Sequence, residues 1–252
     1  MNLPPINTID DVIQQLDIII ASSEKTNNPL GYFAALYKKV TVKVKEGIAD
    51  NYFEDGPRME KLDVVFASRY LQAYFAFENN AAVTKSWEVA FDKSKKYWPI
   101  LLQHLMIGIN AHINLDLGIA AAEISKGKNL EDLKGDFDKI NEVLSSLVAD
   151  VEKDLSEIWP TLKKILKWTK SVDDFLIDFS MQLARDGAWK FAQEVFHSPP
   201  ELLAQLIAER DTKVANNGKI IFPRNVIVRL VLAIIRIGER GTVAEKIKKL
   251  NG

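Results

Sequence analysis

The chain has 252 residues, 47% hydrophobic and 27% charged, with 33 basic and 34 acidic side chains and a net charge of -1. That length can bury one large core or two small ones. The balanced charge offers no basic arm or stripe for nucleic acid, and the lack of cysteine excludes disulfides, thiolate nucleophiles and cysteine-ligated metal centres.

The opening M-N-L-P-P-I-N-T-I-D-D has no positive n-region followed by an apolar run, so it does not read as a secretory signal. A soluble, cytoplasmic protein is expected, and the cysteine-free composition fits a reducing compartment. The most apolar windows are 99–122 and 225–238. The first is interrupted by Gln103, His104, Asn110, His112, Asn114 and Asp116, and the second is short and holds Arg229 and Arg236. Neither reads as a membrane span, which needs about 20 mostly apolar residues.

Nearly every segment shows helical period, with cap chemistry at the breaks. Thr8 and Asp11 form a capping-box pattern for a first helix to about Ala21, followed by a polar loop over 22–28. Asn28 caps and Pro29 opens a second helix to about Ile48, in which Val40, Val42 and Val44 alternate with polar residues and leave a short strand as an alternative. Gly56-Pro57 opens a third, from Arg58 to about Phe77, broken by Asn79-Asn80; a fourth covers about 82–95 and carries Trp87 and Phe91.

Trp98-Pro99 starts a long central helix that stops at Gly127. It is apolar on nearly all sides, so neighbours must surround it. A short turn follows at 130–132, and Gly135 is expected to separate it from a long helix reaching Val151. Trp159-Pro160 restarts a short piece to Trp168. Ser171 caps a helix that runs to His197 with Gly187 inside it. Ser198-Pro199-Pro200 opens another to about Arg210, with Asn216-Asn217-Gly218 as a turn and Ile220–Pro223 as a short extended piece. Asn225–Ile237 reads as an apolar core helix, with a partner-binding amphipathic element over Asn225–Gly252 as the alternative. Thr242 and Glu245 cap a last amphipathic helix. No repeat, low-complexity stretch or dividing linker occurs. The expectation is an all-α fold, one domain over 1–252, of about ten helices around the central one.

Chemistry concentrates on that central helix. At 100° per residue Leu101, Leu105, Gly108, Ile109, His112, Asp116 and Ile119 share a stripe, and His112 and Asp116 are an i,i+4 pair within it. Asn110 and Asn114 form a second such pair on another face. Gly108 and Gly118 each cost about 1 kcal/mol relative to Ala, which suggests close approach by a neighbour or a ligand. One account makes His112 a general acid/base or metal ligand oriented by Asp116; the other makes the cluster a structural hydrogen-bond network. A mononuclear metal would need Asp63 or Asp178 to complete it, since His104 and His197 lack ligand spacing and no Glu-x-x-His pair occurs. No other cofactor motif is present: there is no P-loop, no G-x-G-x-x-G and no nucleophile elbow.

Further candidates lie elsewhere. Asp173, Asp174 and Asp178 could hold Mg²⁺ against a diphosphate, but Ser171 as N-cap places Asp173 and Asp174 in a first turn where the helix dipole favours them. Asp178 and Arg185 lie two turns apart on one face with Trp189 beyond, suited to an ion pair or an anion grip. Asp63 and Arg69 sit among apolar residues of the third helix.

R-M-E-K-L-D-V-V-F-A-S-R-Y-L (58–71), G-I-N-A-H-I-N-L-D-L (108–117) and A-R-D-G-A-W (184–189) resemble a family of helical proteins of bacteria and fungi catalogued as a domain of unknown function. The resemblance spans about residues 30–195 and carries no activity. It implies that Asp63, Arg69, Asn110, His112, Asn114, Asp116, Arg185 and Trp189 line one pocket. The sequence therefore points to a small-molecule enzyme: His112, Asp116 and Asp63 for acid/base work, and Asn110, Asn114, Arg69, Asp178, Arg185 and Trp189 for an apolar or anionic small molecule. The alternative is a non-catalytic ligand-binding or scaffold protein built on a buried network. An oligomer is left open by the sequence.

Overall fold

The computed structural model describes residues 3–159 and 181–252. Among these the fold is all-α, with no β-strand. Capping chemistry sets the first elements. The Thr8 hydroxyl accepts from the Asp11 amide and the Asp11 carboxylate accepts from the Thr8 amide, opening α1 (Ile9–Thr26). This helix runs five residues past its expected end because Ser23 is buried against the next helix, and it stops where Asn27 turns left-handed, at φ 52°. The Asn28 side chain accepts from the Leu30 amide, opening α2 (Leu30–Ala49). The valines at 40, 42 and 44 stay helical. Asp55 caps α3 (Gly56–Glu78), and α4 (Lys85–Ser94) follows.

The central rod is α5 (Leu101–Ala111), a π-helical segment (His112–Leu117) and α6 (Gly118–Ile124). Length and composition alone would let residues 101–124 cross a membrane, yet 89% of their most apolar window is buried inside the fold. The rod's first turn is satisfied from a distance: the Leu101 amide donates to Glu239 Oε1 at 2.7 Å, and Gln103 accepts from the Ile100 amide while donating to the Ile221 carbonyl.

A 3₁₀ turn (Leu130–Leu133) leads into α7 (Lys134–Ile158). Gly135 therefore sits inside a helix rather than between two. Its missing side chain leaves room for the Glu54 carboxylate, 3.1 Å from where a Cβ would lie. The expected helix over 160–168, the Ser171 cap, Asp173, Asp174 and Asp178 lie outside the described residues. α8 (Met181–His197) and α9 (Pro200–Ile220) come next. The Asn216-Asn217-Gly218 turn does not form. Gly218 continues α9 because its bare Cα lets the helix close on Ile107 and Asn110, 2.6 and 3.0 Å from where a Cβ would lie. The extended piece is reduced to a turn at Ile221.

Asn225 caps α10 (Val226–Gly238), and a Thr242–Glu245 capping box opens α11 (Val243–Asn251). That last helix seals the α1–α2 hairpin: Ile247 and Leu250 enter the core and the Ala244 amide donates to Asn27. α10 corrects its expected role as a core helix. Only Ile235 is buried, while Val226, Ile227, Leu230, Ile234 and Ile237 face solvent.

Close approach fixes how the rod is held. A Cβ at Gly108 would stand 2.6 Å from the Phe33 ring, and one at Gly118 would stand 2.7 Å from the Ala188 carbonyl oxygen. The second neighbour is backbone and cannot rotate away. Gly118→Ala is expected to destabilise the fold by about 1–3 kcal/mol through overpacking. Urea unfolding followed by circular dichroism measures the loss.

Candidate functional site: a buried carboxylate and its neighbours

Asp116 is 1% exposed. Three donors from three elements meet it: Arg69 Nε of α3 on Oδ1 at 2.8 Å, Trp87 Nε1 of α4 on Oδ2 at 2.9 Å, and His112 Nδ1 of the π segment on Oδ2 at 3.2 Å. The i,i+4 geometry survives the wider π turn, so the expected His112–Asp116 pair is present. Asp116 accepts at Nδ1, which assigns the proton there and leaves His112 Nε2 as an acceptor. Nε2 is buried without a hydrogen-bond partner among the described residues.

An aromatic box encloses the imidazole. Phe66 stacks on it at 3.6 Å between centroids and 7° between planes, and Tyr37 meets it edge-on at 4.6 Å. Phe33, Trp87 and Tyr70 close the rest at 5.8–6.1 Å. Burial pushes the His112 pKa down; the bond to Asp116 opposes this and the Arg69 charge adds to it. The ring is neutral at neutral pH.

Asp63 lies one turn before Phe66 on α3. It too is buried, and its Oδ2 has no partner among the described residues. Burial, then the Glu60 charge, push its pKa up to about 8, so at neutral pH this carboxyl is a proton donor. The buried Tyr37 hydroxyl is likewise unpartnered among the described residues. Burial pushes its pKa well above 10, and the charges of Asp63 and Asp116 push the same way. Thr41, one turn on, offsets this in part, although the two hydroxyls are outside hydrogen-bonding geometry. His112, Asp63, Tyr37 and Thr41 thus present four buried polar atoms without partners.

The other predicted residues go elsewhere. Asn110 donates to the Val214 carbonyl and so bridges the rod to α9, while Asn114 donates to Asn110 Oδ1 within the rod. Arg210 of α9 donates to the Asn114 carbonyl at 2.8 Å and to the Gly187 carbonyl at 3.3 Å, reaching backbone of the π segment and of α8. Arg185 is buried but donates to the Phe137 carbonyl of α7 and stacks over the Phe137 ring; burial lowers its pKa to about 10. Trp189 packs on Phe137 as well. Neither makes a bond to the His112 cluster, and Asp178 lies outside the described residues. The single pocket implied by the resemblance is therefore divided: Arg69, His112 and Asp116 are bonded together, Asp63 acts on Tyr37, and Asn110 and Arg185 serve helix junctions.

The sequence reading missed Trp87, Tyr37, Phe66 and Arg210 as members of these networks. Their helical spacing marked the aromatics only as core, and Arg210 stands in an ordinary charged run, E-R-D. Among the described residues no group of three or more histidines and carboxylates is placed to hold a metal ion. The Asp116 oxygens face three N–H donors, one of them cationic, a setting that repels a second cation.

Trp87→Phe keeps the ring and removes one donor. It is expected to destabilise the protein by about 1–3 kcal/mol, the penalty for an under-satisfied buried acceptor, measured by urea titration. Asp63 binds its proton more tightly in the folded state, about 8 against an ordinary 3.8. The stability this contributes is complete below about pH 4 and is lost as the pH rises toward 8. Asp63→Asn should flatten that decline in a series of thermal melts and leave the protein more stable than wild type above pH 8.

The family comparison covers residues 9–223, which match the model of a family of unknown function, DUF5995. No curated protein and no solved structure matches the chain. With six-sevenths of its length inside that match, the chain belongs to this family of unknown function.

Proposed function

We propose that the face of His112 turned away from Asp116 is an enclosed small-molecule site with acid/base capacity. The observation that carries this reading is the unpartnered His112 Nε2, in company with the Asp63, Tyr37 and Thr41 oxygens. Buried polar groups without partners are rare, and each calls for an explanation such as a ligand or ordered water. Tyr37 links a neutral acceptor to a protonated carboxyl: its ring meets the imidazole, and the Asp63 charge acts on its hydroxyl. A molecule with a polar end, donating to His112 and accepting from Asp63, would satisfy both. Its apolar body would lie against Phe66 and Tyr37.

A neutral ligand fits better than an anionic one, because Arg69 is engaged by Asp116 and Arg185 by the Phe137 carbonyl. In a reaction, His112 would take a proton at Nε2 while Asp116 holds the ring and stabilises the imidazolium, and Asp63 would deliver one. Arg69, with its side chain 26% exposed, is the bonded member that reaches the surface.

A second reading rests on Asp116. Its complete pairing, in a residue with almost no exposure, suits a network that sets the packing of α3, α4 and the rod without binding anything.

Native mass spectrometry of the purified protein, with His112→Gln beside it, separates the two. The site reading expects a bound small molecule in wild type, released on denaturation and missing from a folded His112→Gln variant. The network reading expects no ligand in either, with the variant less stable by about 1–3 kcal/mol from loss of its bond to Asp116.

A further inference from the structure

The apolar face of α10 has a chemistry of its own, independent of the His112 site. At 100° per residue Val226, Ile237, Leu230, Ile234 and Ile227 fall within one arc of about 100°, and all five are 55–76% exposed. The opposite side holds Val231, Leu232 and Ile235, which pack on Ile100 and Trp159. Among the described residues the helix is thus fastened by one flank and bare on the other. Contiguous exposed apolar surface of this kind marks an interaction site.

Two aromatic side chains join that surface. Tyr97 and Trp98, 65% and 60% exposed, precede the rod. Arg236 of α10 ties them down: its Nε donates to the Tyr97 carbonyl at 2.7 Å and its guanidinium lies 4.8 Å over the Tyr97 ring. Trp98 also borders a groove of about 550 Å³ shared with Phe222, Pro223, Val226, Arg229 and Leu230.

Charge selects the occupant. Eight lysines and arginines lie along this region (Lys93, Lys95, Lys96, Lys213, Lys219, Arg224, Arg229 and Arg236), of which Lys95 is paired with Asp92 and Arg236 with Glu239. In a protein of net charge -1 that is a strong local bias. Lys96, Lys219, Arg224 and Arg229 are exposed. A symmetric dimer would set the exposed Lys96, Lys219, Arg224 and Arg229 against their own copies. An anionic bilayer surface is complementary on every count. Aliphatic side chains enter the acyl boundary, Tyr97 and Trp98 sit at headgroup level, and the basic residues meet the phosphates and carboxylates.

We propose that α10, with the Tyr97–Trp98 corner, is a docking face for anionic membrane, holding the protein on the bilayer surface without spanning it. The test is cosedimentation of the full chain with vesicles of phosphatidylcholine alone or with about 30% phosphatidylserine, with light scattering to give its oligomeric state. Expected is binding to the mixed vesicles only, weakened by salt as surface electrostatics require. Leu230→Glu with Ile234→Glu should abolish it. Arg224→Gln and Arg229→Gln should each weaken it about fivefold, the contribution of one charge at such a surface. These side chains are exposed, so the variants should keep the wild-type circular dichroism spectrum.

Failure to bind mixed vesicles overturns the proposal: in favour of a second copy if the chain is a dimer that Leu230→Glu dissociates, or of cover by the chain's own residues if it is a monomer. Binding that none of the variants changes overturns the assignment to this face.

Discussion

A carboxylate taken almost wholly out of water must be met by donors, and Asp116 is met by three. The penalty for leaving such a charge unpaired is several kcal/mol, so Arg69, Trp87 and His112 are held in mutual register by one side chain. α3 and α4 reach the centre of the rod through those bonds. Much else follows from this constraint. The imidazole is turned so that Nδ1 faces Asp116, which directs Nε2 into the Phe66–Tyr37 enclosure. The π segment beginning at His112 and the Arg210 bond to the Asn114 carbonyl occupy the same turn of the rod, so α9 is tied to it as well.

Burial divides the polar residues of the rod into two kinds. Asn110 ends in a bond that joins the rod to α9, and Asn114 supports Asn110 from one turn on. His112 makes one bond of two, and Asp63 on the neighbouring helix keeps an oxygen unpaired among the described residues. Burial sets the proton preferences of the two groups apart: desolvation drives the histidine toward its neutral form and the aspartate toward its protonated form.

Remote side chains do much of the capping. Asp211 accepts from the Lys85 and Ser86 amides at the start of α4, Asp136 accepts from the Glu54 and Asp55 amides before α3, and Glu239 accepts at the start of the rod. Each is a carboxylate supplied from a distant part of the chain to a helix N-terminus, where the dipole favours it. Glu239 is also paired with Arg236 and with the buried Lys246. The C-terminal quarter is thereby joined to the front of the central helix, although among the described residues one flank of α10 is left uncovered.

Local rules decided what the chain could decide alone. Thr8–Asp11 and Thr242–Glu245 mark helix starts because a cap involves residues three apart and needs nothing else. The apolar run from Leu101 to Ile124 dictated a central helix, and four polar residues inside it marked where to look. Partners were beyond such rules. Arg69 and Trp87 stand 47 and 29 residues from Asp116, and no local pattern states that they will meet there. The same limit explains Gly135 and Gly218, which read as breaks but continue helices because a neighbour occupies the space a side chain would fill. It explains α10 too: periodicity records that a face is apolar, and only the packing of Ile100 and Trp159 against Ile235 decides which flank is covered. Helix identity and the His112–Asp116 pair belong to the sequence. The π register, the donors around Asp116, the division of the expected pocket and the bare face of α10 belong to the tertiary structure, since each depends on contacts between residues far apart in the chain.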